Sequence, residues 1–237
     1  MLVELKGVSK AFKTVEVLHA ITLSIDQGEI FGLIGPSGAG KTTLIRLIIG
    51  AVGADSGTIT VSGQRIPNLV SLRKIGYMPQ NDALYDDLTG MENLLFFGGM
   101  YNMSRRDLKT RASAVMELVE MGSAAARRVG TYSGGMKKRL SLAVAMLHNP
   151  ELLILDEPTV GIDPILRRKI WERFDTLKAE GHTLLVTTHV MDEAVHCDRL
   201  GLVYNGGILA CDTTKALLER SGGSIESLFL NTKESAE

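Results

Sequence analysis

A chain of 237 residues, 45% hydrophobic and 22% charged, fits one large domain or two intimate ones and can fold without disulfides or metal. Lysine and arginine number 26 against 27 acidic residues, so the basic excess that a dedicated nucleic-acid binder needs for phosphate contacts is missing. Two cysteines, Cys197 and Cys211, are too few for a disulfide framework and read as small hydrophobes in a reducing compartment.

Leu2–Leu5 alternates apolar and polar residues, which predicts a strand rather than a signal peptide. A second alternating strand is expected over Ile21–Ile25, a turn at Asp26-Gln27-Gly28, and a more continuously apolar, buried strand over Glu29–Ile34. A Gly-rich loop follows, then a helix over Thr42–Ile49 from the spacing of Leu44, Leu47 and Ile48. The most apolar run, Leu44–Ala54, is cut by Arg46, and no run approaches the roughly 18 residues of a membrane span, so a cytosolic chain is expected. Strands are expected at Gly57–Val61 and Ile75–Met78. Three helices then replace them near Glu92–Tyr101, Arg105–Met121 and Gly134–Leu147. Alternation resumes with a strand at Leu152–Leu155, a helix at Ile165–Ala179, a strand at Thr183–Thr187 and a helix at Met191–His196. A hairpin of Leu200–Tyr204 and Ile208–Ala210 turns at Asn205-Gly206-Gly207, and a polar tail begins at Asn231. This order describes an α/β sheet with an inserted helical subdomain and an antiparallel β portion at the N-terminus.

Gly35-Pro36-Ser37-Gly38-Ala39-Gly40-Lys41-Thr42, followed by Thr43, fits G-x-x-x-x-G-K-[ST], the P-loop. Its glycines let backbone N–H groups curl toward phosphate oxygens, and the helix start adds its positive dipole end. Lys41 then reaches the β- and γ-phosphates and the Thr42 hydroxyl ligates Mg²⁺. Leu152–Leu155 ends in Asp156-Glu157, carboxylates at the mouth of a buried parallel strand. Asp156 suits a Mg²⁺ shell, and Glu157 is placed to polarise an attacking water. Tyr132-Ser133-Gly134-Gly135-Met136 opens a further helix with Ser133 as its N-cap, either a second phosphate-binding helix start or an ordinary capped one.

Gly35–Thr42, Gln80, Ser133-Gly134-Gly135, Leu152–Glu157 and His189 together resemble the ATP-binding cassette (ABC) ATPase domain over essentially the whole chain. The P-loop is common to many NTPases, whereas Ser-Gly-Gly shortly before the acidic strand is specific to this family. The resemblance implies a P-loop NTPase core with a parallel sheet (1–87 and 148–237) and a helical signature subdomain (88–147). It also implies ATP sandwiched head to tail between two cassettes, in a homodimer or a paired ATPase. Gln80 resembles the glutamine that senses Mg²⁺ and water and links to the helical insert, or else is a polar loop residue after Pro79. His189 resembles the histidine that contacts the γ-phosphate, or else is a satisfied lone histidine. Asp163 resembles the aspartate that crosses the dimer interface, or else caps a helix, and Phe12 resembles the adenine-stacking aromatic, or else joins a core. Met136, Tyr132 and Val160 depart from the usual Gln, Leu and Ser without removing a backbone donor or metal ligand. The sequence around Gly134–Ser141 and Ile225–Leu230 resembles drug-exporter-type ATPases and related lipid or polysaccharide exporters.

The resemblance implies ATP with Mg²⁺, hydrolysis coupled to a membrane permease, and attachment to the inner face of the cell membrane. A soluble ABC ATPase acting on DNA or ribosomes is the alternative. It fits less well, because no long coiled coil separates the motifs and only one cassette is present. A GTPase fits least, since no guanine-reading motif occurs. The apolar run from Leu84 to Tyr101 exceeds what a small subdomain can hide, and it predicts a docking surface with Tyr85 and Tyr101 exposed.

Overall fold

The structure, a computed structural model, describes residues 1–234. β1 (Val3–Phe12) and β2 (Val15–Ile25) form one antiparallel hairpin, longer than the alternation predicts, that turns through Lys13 at φ 56°. β3 (Ile30–Ile34) and α1 (Lys41–Ile48) follow. β4 (Ser56–Val61) then pairs with β1, the two-residue β5 (Gln64–Arg65) pairs with β4, and a short α2 (Leu69–Leu72) leads to β6 (Ile75–Met78). The inserted helices are α3 (Gly90–Gly99), α4 (Arg105–Leu118) and α5 (Gly134–Met146). After them come β7 (Leu152–Asp156), α6 (Pro164–Ala179), β8 (Thr183–Thr188), the hairpin of β9 (Arg199–Tyr204) and β10 (Gly207–Thr213), α7 (Thr214–Arg220) and α8 (Ile225–Glu234). The helix expected over Met191–His196 is a 3₁₀ turn, too short and without a side-chain cap. The tail expected from Asn231 begins inside α8, and its last three residues lie outside the described residues.

β2-β1-β4-β5 make a four-stranded antiparallel sheet. β10-β9-β3-β8-β7-β6 make a six-stranded sheet that is parallel except at β10. β3, β7 and β8 are buried on both faces, which is why they read as unbroken apolar runs. Their alternate residues feed two cores. Phe31, Leu33, Leu152, Ile154 and Leu185 pack toward the antiparallel sheet and α1, whereas Ile30, Ile34, Leu153, Leu155 and Val186 pack toward the helices. Trp171 and Phe174 of α6 are buried in the second core, worth roughly 1.5–3 kcal/mol each for the area removed from water.

The insert helices begin on local side-chain caps. Thr89 and Glu92 form a capping box on α3, and the Ser104 hydroxyl accepts from the Asp107 N–H on α4. Tyr132 is buried and donates its hydroxyl to the Ala124 carbonyl at 2.7 Å, fixing the chain that leads into α5. Cys197 is buried and Cys211 partly so. Both are free thiols, and burial pushes each above its ordinary pKa.

Candidate active site

Strand order assembles the site. β3, β8, β7 and β6 are consecutive neighbours, all parallel, so their carboxyl ends open on one edge. The P-loop follows β3, His189 follows β8, Asp156 ends β7 with Glu157 next, and Gln80 follows β6. Four segments far apart in sequence thereby meet at one crevice.

The loop is held by its lysine. Lys41 is buried, and its Nζ donates to the carbonyls of Gly35 at 2.7 Å and Pro36 at 3.0 Å. Burial pulls this ammonium below its ordinary pKa, while Glu157 and Asp156 oppose that pull. Gly40 sits at φ 106°, and a Cβ there would lie 2.7 Å from Leu18 Cδ2; a Cβ on Gly35 would collide with the Val203 carbonyl oxygen. No side chain caps α1, so its first N–H groups are left for an anion. A cavity of about 320 Å³ opens before them, lined by Val17, Ser37, Gly38, Gly40, Lys41, Thr42, Thr43, Gln80 and Glu157.

Glu157 is the hub. Its Oε2 accepts from Gln80 Nε2 at 2.8 Å and its Oε1 lies 3.0 Å from His189 Nδ1, so two other motif residues share this one carboxylate. Its backbone holds φ 53°, a left-handed conformation that costs free energy in a non-glycine residue and clusters at functional sites. The buried Asp156 takes the Thr187 hydroxyl on Oδ1 at 2.6 Å, while Oδ2 has no protein partner. A buried carboxylate oxygen left open, on a residue close enough to the P-loop for its charge to act on Lys41, fits a hard divalent cation such as Mg²⁺. Asp156 and Thr42 are the residues that would hold it, with Gln80 at the cavity wall, and it would supply charge neutralisation for the phosphates.

Other expected residues fall elsewhere. Ser133 and Gly134 are exposed at the start of α5, Gly135 partly so, and none of the three lines the P-loop cavity. The Ser133 hydroxyl accepts from the Met136 N–H at 3.3 Å, and a Cβ on Gly134 would meet nothing within 4 Å. Asp163 caps α6, accepting from the N–H groups of Ile165 at 3.1 Å and Leu166 at 3.0 Å. Phe12 stands exposed near the tip of the first hairpin with the Lys10 ammonium 5.4 Å from its ring, so it belongs to no core, and Val17 rather than Phe12 walls the cavity. Two residues at the site carry no motif signal: Thr187, whose hydroxyl also accepts from the Glu157 N–H at 3.0 Å, and Lys138, which donates to the Gln80 carbonyl at 2.6 Å. The position of Thr187 opposite Asp156 depends on strand register, which a single sequence does not disclose.

A family model described as "ABC transporter" matches residues 18–160. The chain is 43% identical over 225 residues to the linearmycin resistance ATP-binding protein LnrL of Bacillus subtilis (strain 168), covering 94% of this chain and 72% of that protein. It is 42% identical to the Nod factor export ATP-binding protein I of Rhizobium sp. (strain N33), covering 93% of this chain and 74% of the relative. A solved structure titled as the ATP-binding subunit of an ABC transporter superposes with a TM-score of 0.88 at 30% identity, covering 98% of this chain and 99% of that one. A dimeric cassette in a post-hydrolysis state with ADP and Pi gives a TM-score of 0.83 at 27% identity, covering 90% and 98%. With a family match across the P-loop, the Ser-Gly-Gly helix and the acidic strand, the chain belongs to the ABC transporter family as an ATP-binding and ATP-hydrolysing subunit.

Proposed function

We propose that this chain binds ATP with Mg²⁺ in the P-loop crevice and hydrolyses it to drive export through a membrane permease. The observation that carries the chemistry is Glu157, held between Gln80 and His189 at the rim of the cavity that Lys41 and Thr42 line. In that place its carboxylate orients the attacking water, Lys41 and the α1 N–H groups hold the phosphates, and Asp156 with Thr42 holds the cation. Export as the direction rests on the printed names of the linearmycin resistance and Nod factor relatives. In this reading residues 1–87 and 148–237 are the nucleotide-binding core and 88–147 the helical signature part. Two cassettes pair so that Ser133, Gly134, Gly135 and Asp163 of one meet ATP on the other. Phe12 serves the adenine from the hairpin tip.

In this reading attachment runs through the permease, at the cytoplasmic face; no helix among the described residues is long and apolar enough to cross a membrane. A largely apolar groove of about 480 Å³ offers the contact. It is lined by Ile49, Leu72, Tyr77, Leu84, Phe97 and Tyr101, among others, and Pro79 beside Gln80 also reaches it. Tyr101 is not the exposed residue that the sequence suggests. It is half-buried and stacks on His148 with ring centroids 3.7 Å apart, and burial of His148 draws its pKa down to about 4, so this backing ring is neutral at pH 7. Tyr85 is exposed and packs edge-on against Phe96 at 4.8 Å. Hydrolysis is expected to stop when Mg²⁺ is chelated and return when it is restored. Tyr101→Glu and Tyr85→Glu are each expected to impair co-purification with the permease while leaving ATP binding within about twofold of wild type, since neither touches the crevice. Full complex formation by both variants moves the docking surface elsewhere.

A further inference from the structure

Behind the crevice lies a buried carboxylate that none of these roles uses. Glu193 sits in the 3₁₀ turn Met191–His196, with its side chain 3% exposed. Its Oε1 accepts from the Thr159 hydroxyl at 2.6 Å and lies 3.6 Å from Arg167 Nε, while its Oε2 has no partner. Thr159, fully buried, is two residues beyond Glu157. Arg167, in the first turn of α6, donates to the Ile162 carbonyl at 3.4 Å, next to Asp163. Glu193 itself is four residues beyond His189, whose ring bonds the Glu157 carboxylate. The segments 157–159 and 189–193 are thus cross-braced twice, once by the half-exposed His189–Glu157 contact and once by the buried Glu193–Thr159 bond.

As a stability device the arrangement is poor. A buried carboxylate with one oxygen unmet, facing a partly exposed arginine whose Nε makes no hydrogen bond, is outperformed by apolar packing of the same volume. What it does supply is geometry. The short bond fixes one segment against the other, and Arg167 carries that fixation to the backbone before Asp163. We propose that Glu193 is a positioning residue that keeps His189 in register with Glu157 for the ATPase step. The inference rests on the reading of Glu157 and His189 given above.

Steady-state ATP hydrolysis and ATP binding by the full chain test it. Glu193→Ala is expected to lower kcat about tenfold or more with KM within about twofold, because misplacement of reacting groups acts on the transition state and not on nucleotide binding. Glu193→Gln keeps an acceptor for Thr159 and is expected to restore most of kcat. Thr159→Val, which deletes only the donor and stands in if Glu193→Ala does not fold, is expected to repeat the loss. Because Glu193 acts through His189, the double variant Glu193→Ala/His189→Ala is expected to be no slower than His189→Ala alone. Wild-type kcat in Glu193→Ala and Thr159→Val overturns the proposal, as does a kcat loss that multiplies with that of His189→Ala. Glu157→Gln run in parallel separates the levels. If it stops hydrolysis while the Glu193 and Thr159 variants do not, only the positioning role falls; wild-type hydrolysis in Glu157→Gln removes the site reading itself.

Discussion

Two helix starts in this molecule carry Gly-rich sequence, and the structure treats them oppositely. α1 begins on Gly40 with no side-chain cap, and a cavity walled by residues from three strand–loop junctions lies over its first turn. α5 begins on Ser133 with its own hydroxyl cap, Gly134 exposed and no space-filling neighbour near it. The same backbone chemistry is therefore a finished half-site in the core and an open surface in the insert. A helix N-terminus becomes a phosphate site through what surrounds it, and at α5 the surroundings come from another molecule in the head-to-tail pairing proposed above.

The comparison breaks first at Glu157. Glu157→Gln keeps the shape and leaves Asp156 in place, so ATP binding is expected to survive while hydrolysis falls on the order of 10²-fold or more. Radiolabelled ATP binding alongside steady-state phosphate release measures both, and wild-type turnover ends the assignment. Lys41→Ala attacks the finished half-site differently. It removes a buried cation that braces the loop through the Gly35 and Pro36 carbonyls, and nucleotide affinity is expected to drop about 10- to 100-fold, the range for hydrogen bonds to charged groups. Equilibrium dialysis reads this directly.

Ser133→Arg sharpens the contrast with the smallest change in the isolated chain. Binding of ATP to the monomer is expected to stay within about twofold, because Ser133 lies outside the cavity, and the lost cap costs about 1 kcal/mol at most sites of this kind. Added to Glu157→Gln, it is expected to abolish an ATP–Mg²⁺-dependent dimer visible by sedimentation, by placing charge and bulk between the halves. A dimer that persists would mean that α5 does not face the partner's nucleotide.

Local signals made much of this legible in sequence. The P-loop lies in one continuous segment, so its chemistry and the strand–loop–helix order around it could be read directly. The acidic pair after Leu152–Leu155 was equally readable, since an apolar run that ends in carboxylates marks a buried strand mouth. The helix cap at Ser133 is a short-range hydrogen bond with its own spacing, whereas the caps at Thr89 and Ser104 came only with the structure. Less legible were the outer elements. α2, α7 and α8 escaped because they are short or weakly periodic, and the full length of the first hairpin escaped because exposed residues interrupt its alternation after Leu5.

Sequence by itself determined which groups are candidates for phosphate, cation and water, because those motifs are set by residue type at fixed local spacing. Tertiary structure alone decided which of them meet. That Gln80 and His189 share the Glu157 carboxylate follows from the strand order β3-β8-β7-β6, and that Thr187 serves Asp156 follows from register between β7 and β8. Strand order and register are settled by how two buried faces fill their cores, a sum over contacts far apart along the chain. The same sum places Glu193 against Thr159, 34 residues away, where no local pattern announces it.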